Sequence, residues 1–342
     1  MTLLEKIAAE AHCGPSTVAR VLSSGNKETR PTAQRRADQI RAIADRMGYR
    51  PSRAAKSHRS GRYDCLALMT MGDSFFSYLS ADLLPGVEAE AARHNKHLIL
   101  THMSEEQFWD EAHLPKILRE CASDGLIIYC FEKTPVRVQE MLDRHTIPAV
   151  WLNSQLDADC VYPDDRRGAA DLTAYLAALG HRRIAYLGPP PGGHDSEGER
   201  LVGYLEAMGA AGLPPTVFHP QDCFSAGLSP TEADRMLAEN AAHPGPATAW
   251  VINEIYRAAP LYVAALRRGL RVPEDLSLTV CTQSRENDLR VPFTLSSVPM
   301  AETAVVSVQM LMMKIGDPLV RLAPRQIAPA LILGETTGRL AA

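Results

Sequence analysis

The 342-residue chain has no C-x-x-C pair; its seven cysteines, Cys13, Cys65, Cys121, Cys130, Cys160, Cys223 and Cys281, lie scattered. That distribution argues against a zinc site or a disulfide framework and fits free thiols in a reducing compartment. No apolar run approaches the roughly 20 residues needed to cross a bilayer. Glu5 and Lys6 stand where an export signal needs an apolar stretch, so a cytoplasmic protein with no membrane partner is expected. Gly188 to Gly193 is broken by Pro189, Pro190 and Pro191 and is no phosphate-cradling loop. Without a nucleophile beside a base or a metal-ligand spacing, no enzyme chemistry, cofactor or metal is expected. Internal repeats and low-complexity tracts are missing as well.

What is present is a globular composition, 46% hydrophobic and 22% charged, in a chain long enough for two or three folding units. Charge is unevenly spread. Residues 1–62 carry thirteen Lys or Arg against five Asp or Glu, a net of +8, which leaves −12 for the rest of a chain whose total is −4. This basic stretch holds three helix signals, Thr2 to Ala11, Pro15 to Leu22 and Thr32 to Met47. Thr2 and Glu5 form a capping box. Gly14-Pro15 breaks the chain and restarts it, since proline suits the first helical position. Ile7, Ala8 and Ala11 on the first helix and Val18, Val21 and Leu22 on the second make inward stripes, leaving Ser16 and Arg20 outside. A turn between short helices inside a cationic module is the outline of a head that reads double-stranded DNA. A merely solvated basic surface is the plainer alternative.

Beyond residue 62, apolar runs alternate with amphipathic ones. Cys65–Met69, His97–Leu100, Gly125–Tyr129 and Ala149–Leu152 read as strands, with helices at Leu83–His94 and Leu114–Cys121. A second series has strands at Ile184–Leu187, Ala249–Ile252 and Leu276–Cys281 and helices at Gly168–Leu179, Gly198–Ala211 and Tyr262–Arg268. Continuously apolar strands alternating with helices predict two doubly wound parallel sheets. Ligands of such sheets bind beyond the carboxyl ends of the strands, so a small molecule is expected between the two units.

These segments resemble the lactose-repressor (LacI/GalR) family of transcription regulators. The likeness rests on Leu4, Ile7-Ala8, Ala11, Ser16-Thr17-Val18-Ala19-Arg20-Val21-Leu22 and Met47-Gly48-Tyr49-Arg50-Pro51-Ser52-Arg53-Ala54-Ala55. It continues in Asp73-Ser74-Phe75-Phe76, Gly180-His181-Arg182-Arg183-Ile184-Ala185, Glu199-Arg200-Leu201-Val202-Gly203-Tyr204 and Gly269 to Ser277. The resemblance implies an α/β chain: a three-helix helix-turn-helix head at 1–50, a hinge at 51–62, and a two-lobed periplasmic-binding-protein-like domain at 63–342. Lobe 1 would comprise about 63–162 and 292–323, lobe 2 about 163–291 and 324–342, with crossings near Pro163, Pro292 and Pro324. The function implied is a sequence-specific regulator, a repressor, controlled by a small-molecule effector. On the same lobes the alternatives are a solute-binding sensor or an enzyme without operator binding. Within the run at 180–185, His181 reads as structural.

By the same resemblance Pro15, Ser16 and Arg20 face base edges and Thr17 the backbone. Arg20 suits a guanine, while Arg30, Arg35, Arg50, Arg53 and Lys56 suit phosphates. Ala55 and His58 belong to the hinge. His58 stands where the family carries a leucine that wedges into the minor groove, which implies a weaker kink or a basic tether. Phe75, Phe76, Tyr129, Asn153, Arg200, Phe224, Asn253, Thr282 and Gln283 are implied in the effector pocket. Cys281-Thr282-Gln283 replaces the paired aspartates common in sugar-binding relatives, Asn253-Glu254 replaces Asn-Asp, and Tyr129 and Met300 replace amides. These exchanges weaken, without removing, a sugar reading; an anion paired with the fork of Arg200 is its rival. A two-fold operator implies a homodimer, with the helix near Asp82 and Leu83 in its interface, and the absence of a heptad tail implies no tetramer.

Overall fold

A computed structural model describes residues 1–23, 30–49, 62–71, 80–104, 123–130, 136–190, 192–221, 227–282 and 289–340. It divides into two compact units, 1–64 and 65–342.

The first unit holds three helices, α1 (Leu3–Glu10), α2 (Pro15–Ser23) and α3 (Pro31–Arg46). Thr2 and Glu5 close the capping box: the Thr2 amide donates to Glu5 Oε2 at 2.7 Å and the Glu5 amide to Thr2 Oγ1 at 3.3 Å. His12, at φ 47°, ends α1 in the left-handed region, and the Gly14 carbonyl accepts the Thr17 amide (2.9 Å) as α2 begins. Ile7, Ala8, Ala11, Val18 and Val21 are buried with Ala37, Ile40, Ile43 and Ala44 of α3 in one small core. An Arg46–Glu10 ion pair ties α3 to α1.

The second unit contains two sheets, each six-stranded among the described residues. Lobe 1 orders its strands β11-β5-β4-β3-β1-β2: β1 is Cys65–Met71, β2 His97–Met103, β3 Gly125–Cys130, β4 Ala149–Leu152, β5 Cys160–Pro163 and β11 Arg325–Ile327. All its pairings are parallel. The central strands β1, β3 and β4 are buried along their whole length, because helices cover both faces. Helices α4 (Leu83–Arg93) and α10 (Met300–Gly316) pack on one face and α5 (Val136–Arg144) on the other.

Lobe 2 orders its strands β12-β10-β9-β8-β6-β7: β6 is Ile184–Leu187, β7 Thr216–Phe218, β8 Ala249–Ile252, β9 Ser277–Thr282, β10 Thr294–Ser297 and β12 Ala330–Ile332. Only β12 is antiparallel, to β10. Helices α6 (Asp165–Ala178) and α7 (Asp195–Ala210) cover one face, α8 (Pro230–Ala242) and α9 (Ile255–Arg267) the other.

Two expected boundaries move. Strand β10 stays in the lobe 2 sheet, so the second crossing falls near Val298, which packs in the lobe 1 core, rather than near Pro292. Strand β11 still pairs with β5 in lobe 1, so the third crossing follows Ile327 rather than Pro324. Helix α9 starts at Ile255, seven residues before the expected Tyr262, and runs through Pro260. A helical proline leaves the carbonyl four residues earlier without its donor. Here that carbonyl belongs to Tyr256, and it accepts the Leu228 amide from outside the helix at 3.3 Å. The expected helix at 114–121 lies outside the described residues.

His181 is structural. Buried at the amino ends of the strands, it meets Thr248 Oγ1 (2.9 Å), Ser277 Oγ (3.1 Å) and the Gly338 carbonyl (3.1 Å), and burial pushes its pKa down.

Two glycines of α7 separate packing from propensity. A Cβ on Gly203 would run into the Arg166 carbonyl of α6, whereas one on Gly209 meets nothing within 4 Å. Gly203→Ala is expected to lower stability in urea by about 1–3 kcal/mol. Gly209→Ala is expected to raise it by about 0.4–1 kcal/mol, and equal effects at both sites would defeat this account.

Candidate functional site

In the first unit Pro15, Ser16 and Arg20 are exposed on α2, with Thr17 half-buried. Burial of Val18 and Val21 on the opposite stripe sets that orientation. Arg30 and Arg35 are exposed around the start of α3. Arg50, Arg53, Ala55, Lys56 and His58 lie outside the described residues.

In the second unit the carboxyl ends of the strands carry a dense polar group. Arg200, in the second turn of α7, is only 3% exposed. Its Nε donates to Asp165 Oδ1 of α6 at 2.7 Å. Its Nη1 donates to Asn253 after β8, at 2.6 Å to the main-chain oxygen and 2.7 Å to Oδ1, and reaches Glu254 Oε1 at 3.3 Å. Burial opposes the Arg200 charge, but Asp165 and Glu254 outweigh it and hold the pKa above the usual arginine value. Glu254 and Glu197 are both pushed up by burial, against the pull of Arg200 and Arg257. The Cys281 thiol is pushed up to about 12 by burial, so it stays protonated beside the arginine.

Around this group several buried polar atoms have no hydrogen-bond partner among the described residues: Asn253 Nδ2, Tyr186 OH, Arg257 Nε and Ser154 Oγ. Arg200 fixes the Asn253 amide by taking Oδ1, which leaves Nδ2 as the unmet donor. Asn153 ends β4 of lobe 1 at φ 65°, where an asparagine is tolerated, and its carbonyl accepts from His194 Nε2 of lobe 2 at 2.7 Å. The Gln155 amide lies 3.4 Å from Asp195 Oδ2 across the same divide.

A periplasmic binding protein-like domain model matches residues 173–337. The HTH-type transcriptional repressor PurR of Vibrio campbellii is 27% identical, covering 81% of each chain. Catabolite control protein A of Priestia megaterium is 26% identical, covering 89% of this chain and 90% of its own. The lac repressor dimer bound to operator and an anti-inducer superposes with a TM-score of 0.78 over 100% of this chain and 99% of that one, at 18% identity. The chain is similar in sequence to these repressors and shares its fold with the lac repressor.

In this fold the implied pocket residues separate. Asn153, Arg200, Asn253 and Thr282 are all buried at the carboxyl ends of strands or in the helices that follow them. Tyr129 packs fully buried in the lobe 1 core with Leu66, Leu68 and Val298, and Met300 joins it there. Phe75, Phe76, Phe224 and Gln283 lie outside the described residues. The reading of Arg200 as a free fork for a carboxylate is corrected: Nε and Nη1 are already taken by Asp165, Asn253 and Glu254. Asp165, Glu197, Arg257 and His194 went unread in the sequence. Only His194 had a local signal, since it precedes an acidic helix start and caps α7. Among the described residues no group of His, Cys, Asp and Glu is placed to hold a metal, and no helix is long and apolar enough to cross a membrane.

Removing the guanidinium leaves Asp165 buried and unpaired, so Arg200→Ala is expected to destabilise the protein by about 3–5 kcal/mol in urea. Adding Asp165→Asn is expected to return a large part of that loss; simple additivity of the two changes would refute the pairing.

Proposed function

We propose that this chain is a transcriptional repressor that reads operator DNA through α2 and answers to a small effector held between its lobes. The exposed Pro15, Ser16 and Arg20 face of a three-helix head, in the most basic part of the chain, carries the reading. Arg20 grips a guanine edge through two acceptors, Pro15 contributes only shape, and Thr17 approaches the backbone. Arg30, Arg35, Arg53 and Lys56 position the head on phosphates, with Ala55 and His58 in the hinge. The protein acts as a homodimer on a two-fold operator, in the cytoplasm and without catalysis.

The effector is neutral. Three carboxylates, Asp165, Glu197 and Glu254, surround two guanidiniums, Arg200 and Arg257, so an anion would enter a site with no unmatched positive charge. A sugar or another hydroxyl- or carbonyl-bearing metabolite supplies acceptors for Asn253 Nδ2 and Arg257 Nε. Asn153, Thr282 and, beyond the described residues, Phe75, Phe76, Phe224 and Gln283 complete the contacts. Tyr129 supports the pocket from the core.

Selection of random duplex DNA by the full-length protein is expected to enrich a palindrome with guanine in each half-site. Arg20→Ala then relaxes base choice at that guanine by about 1–3 kcal/mol, whereas Arg53→Ala weakens every sequence alike. Loss of the same base preference in both variants would end this division of roles.

A further inference from the structure

Arg257 stands in the first turn of α9, just past the carboxyl end of β8, and is 6% exposed. Among the described residues its side chain makes no hydrogen bond and no ion pair, and its Nε is buried without a partner. A guanidinium keeps its charge inside a protein, so an unpaired one out of water is costly, and the positive end of a helix adds to that cost. Arg200, by contrast, is satisfied by Asp165, Asn253 and Glu254.

Of the charged groups around Glu197, Arg257 acts on it most strongly, yet among the described residues no ion pair joins the two. Glu254, the other carboxylate that feels Arg257, is paired with Arg200 instead. A Cβ on Gly193 would strike Glu197 Oε2, so that carboxylate lies against the loop that follows β6. The buried Tyr186 hydroxyl feels both Glu197 and Arg257 and has no partner among the described residues.

We propose that Glu197 and Arg257 are the halves of a divided ion pair, and that the effector joins them with a neutral group carrying a hydrogen-bond donor beside an acceptor, either adjacent hydroxyls or the edge of an amide. This rests on the reading of the cleft as the effector site and names the part of the effector that is read there. An anion would satisfy Arg257 but be repelled by Glu197; a cation would do the reverse. A group with a donor beside an acceptor gives its proton to the carboxylate and its lone pair to the guanidinium, two charge-assisted bonds that neither charge finds in the protein. Tyr186 OH, able to donate or accept, and Asn253 Nδ2 meet the atoms beside it.

The first test is urea unfolding of the intact protein without ligand. Arg257→Met is expected to raise the midpoint, because an apolar chain replaces an unmatched charge, whereas Arg200→Ala lowers it. A lowered midpoint in Arg257→Met would mark a structural arginine and overturn the divided pair. The second test is calorimetry with D-ribose, D-glucose and D-galactose as hydroxyl probes, uracil as an amide probe, and acetate and inorganic phosphate as anions. A neutral probe is expected to bind, its class separating hydroxyls from amide, and Arg257→Met and Glu197→Gln are each expected to weaken it by about tenfold or more. Binding of an anion alone, no binding of any neutral probe, or an affinity unchanged in either variant overturns the proposal. The unfolding result involves no ligand and does not depend on the cleft being the effector site; that reading fails separately if the bound probe leaves the affinity of the full-length protein for its operator unchanged.

Discussion

The cleft edge of lobe 2 depends on one buried guanidinium. Arg200 draws Asp165 of α6, its own helix α7 and the Asn253-Glu254 corner before α9 to a single point at the carboxyl ends of the strands. A charge taken out of water is tolerated only where partners satisfy it from several directions, and here they come from elements 35 and 53 residues away in sequence. The remaining polar groups inherit their positions from this arrangement. The Asn253 amide orientation follows from the bond to Arg200, and the tight α6–α7 approach at Gly203 sets how far the arginine reaches.

Lobe 1 uses the same device for a different end. Lys314 of α10 donates to Asp159 at 2.7 Å and to the Val320 carbonyl at 2.9 Å, while the Leu322 amide donates to Asp159 Oδ1 at 2.9 Å. This buried pair anchors the segment that leads from α10 to β11, the last strand of lobe 1 before the chain returns to lobe 2. Each lobe therefore has a paired charge where the chain must hold an exact course without regular structure, while the cores on the sheet faces are mainly apolar.

What was legible in the sequence was what is local. The capping box at Thr2 and Glu5, the Gly14-Pro15 restart and the unbroken apolar strands depend on neighbours within a few residues, so their pattern stands in the text. The first two turns of α9 are not legible from neighbours alone, since a proline at 260 disfavours a helix interior and the carbonyl it leaves at Tyr256 is met by the distant Leu228 amide. The sheet membership of β10 and β11 was equally hidden, since a three- or four-residue strand says nothing about which lobe it joins. At the site, Arg200 was found by its family setting, yet its role changed once Asp165 was seen beside it. No periodicity links residues 165, 200 and 253; only the closing of the sheet does.

The contact between lobes has a magnitude that suits a switch. One neutral hydrogen bond, His194 to Asn153, contributes about 1 kcal/mol, and the longer Gln155–Asp195 contact adds less. Such contacts bias the two lobes by a modest factor. A ligand shifts that balance only by its differential affinity for the two forms. On the proposed function the donors Asn253 Nδ2 and Arg257 Nε, unmet among the described residues, provide that difference, because an effector that supplies acceptors removes the cost of burying them without a partner. On the proposed function, linkage requires that whatever factor the effector imposes on operator affinity, the operator imposes on effector affinity.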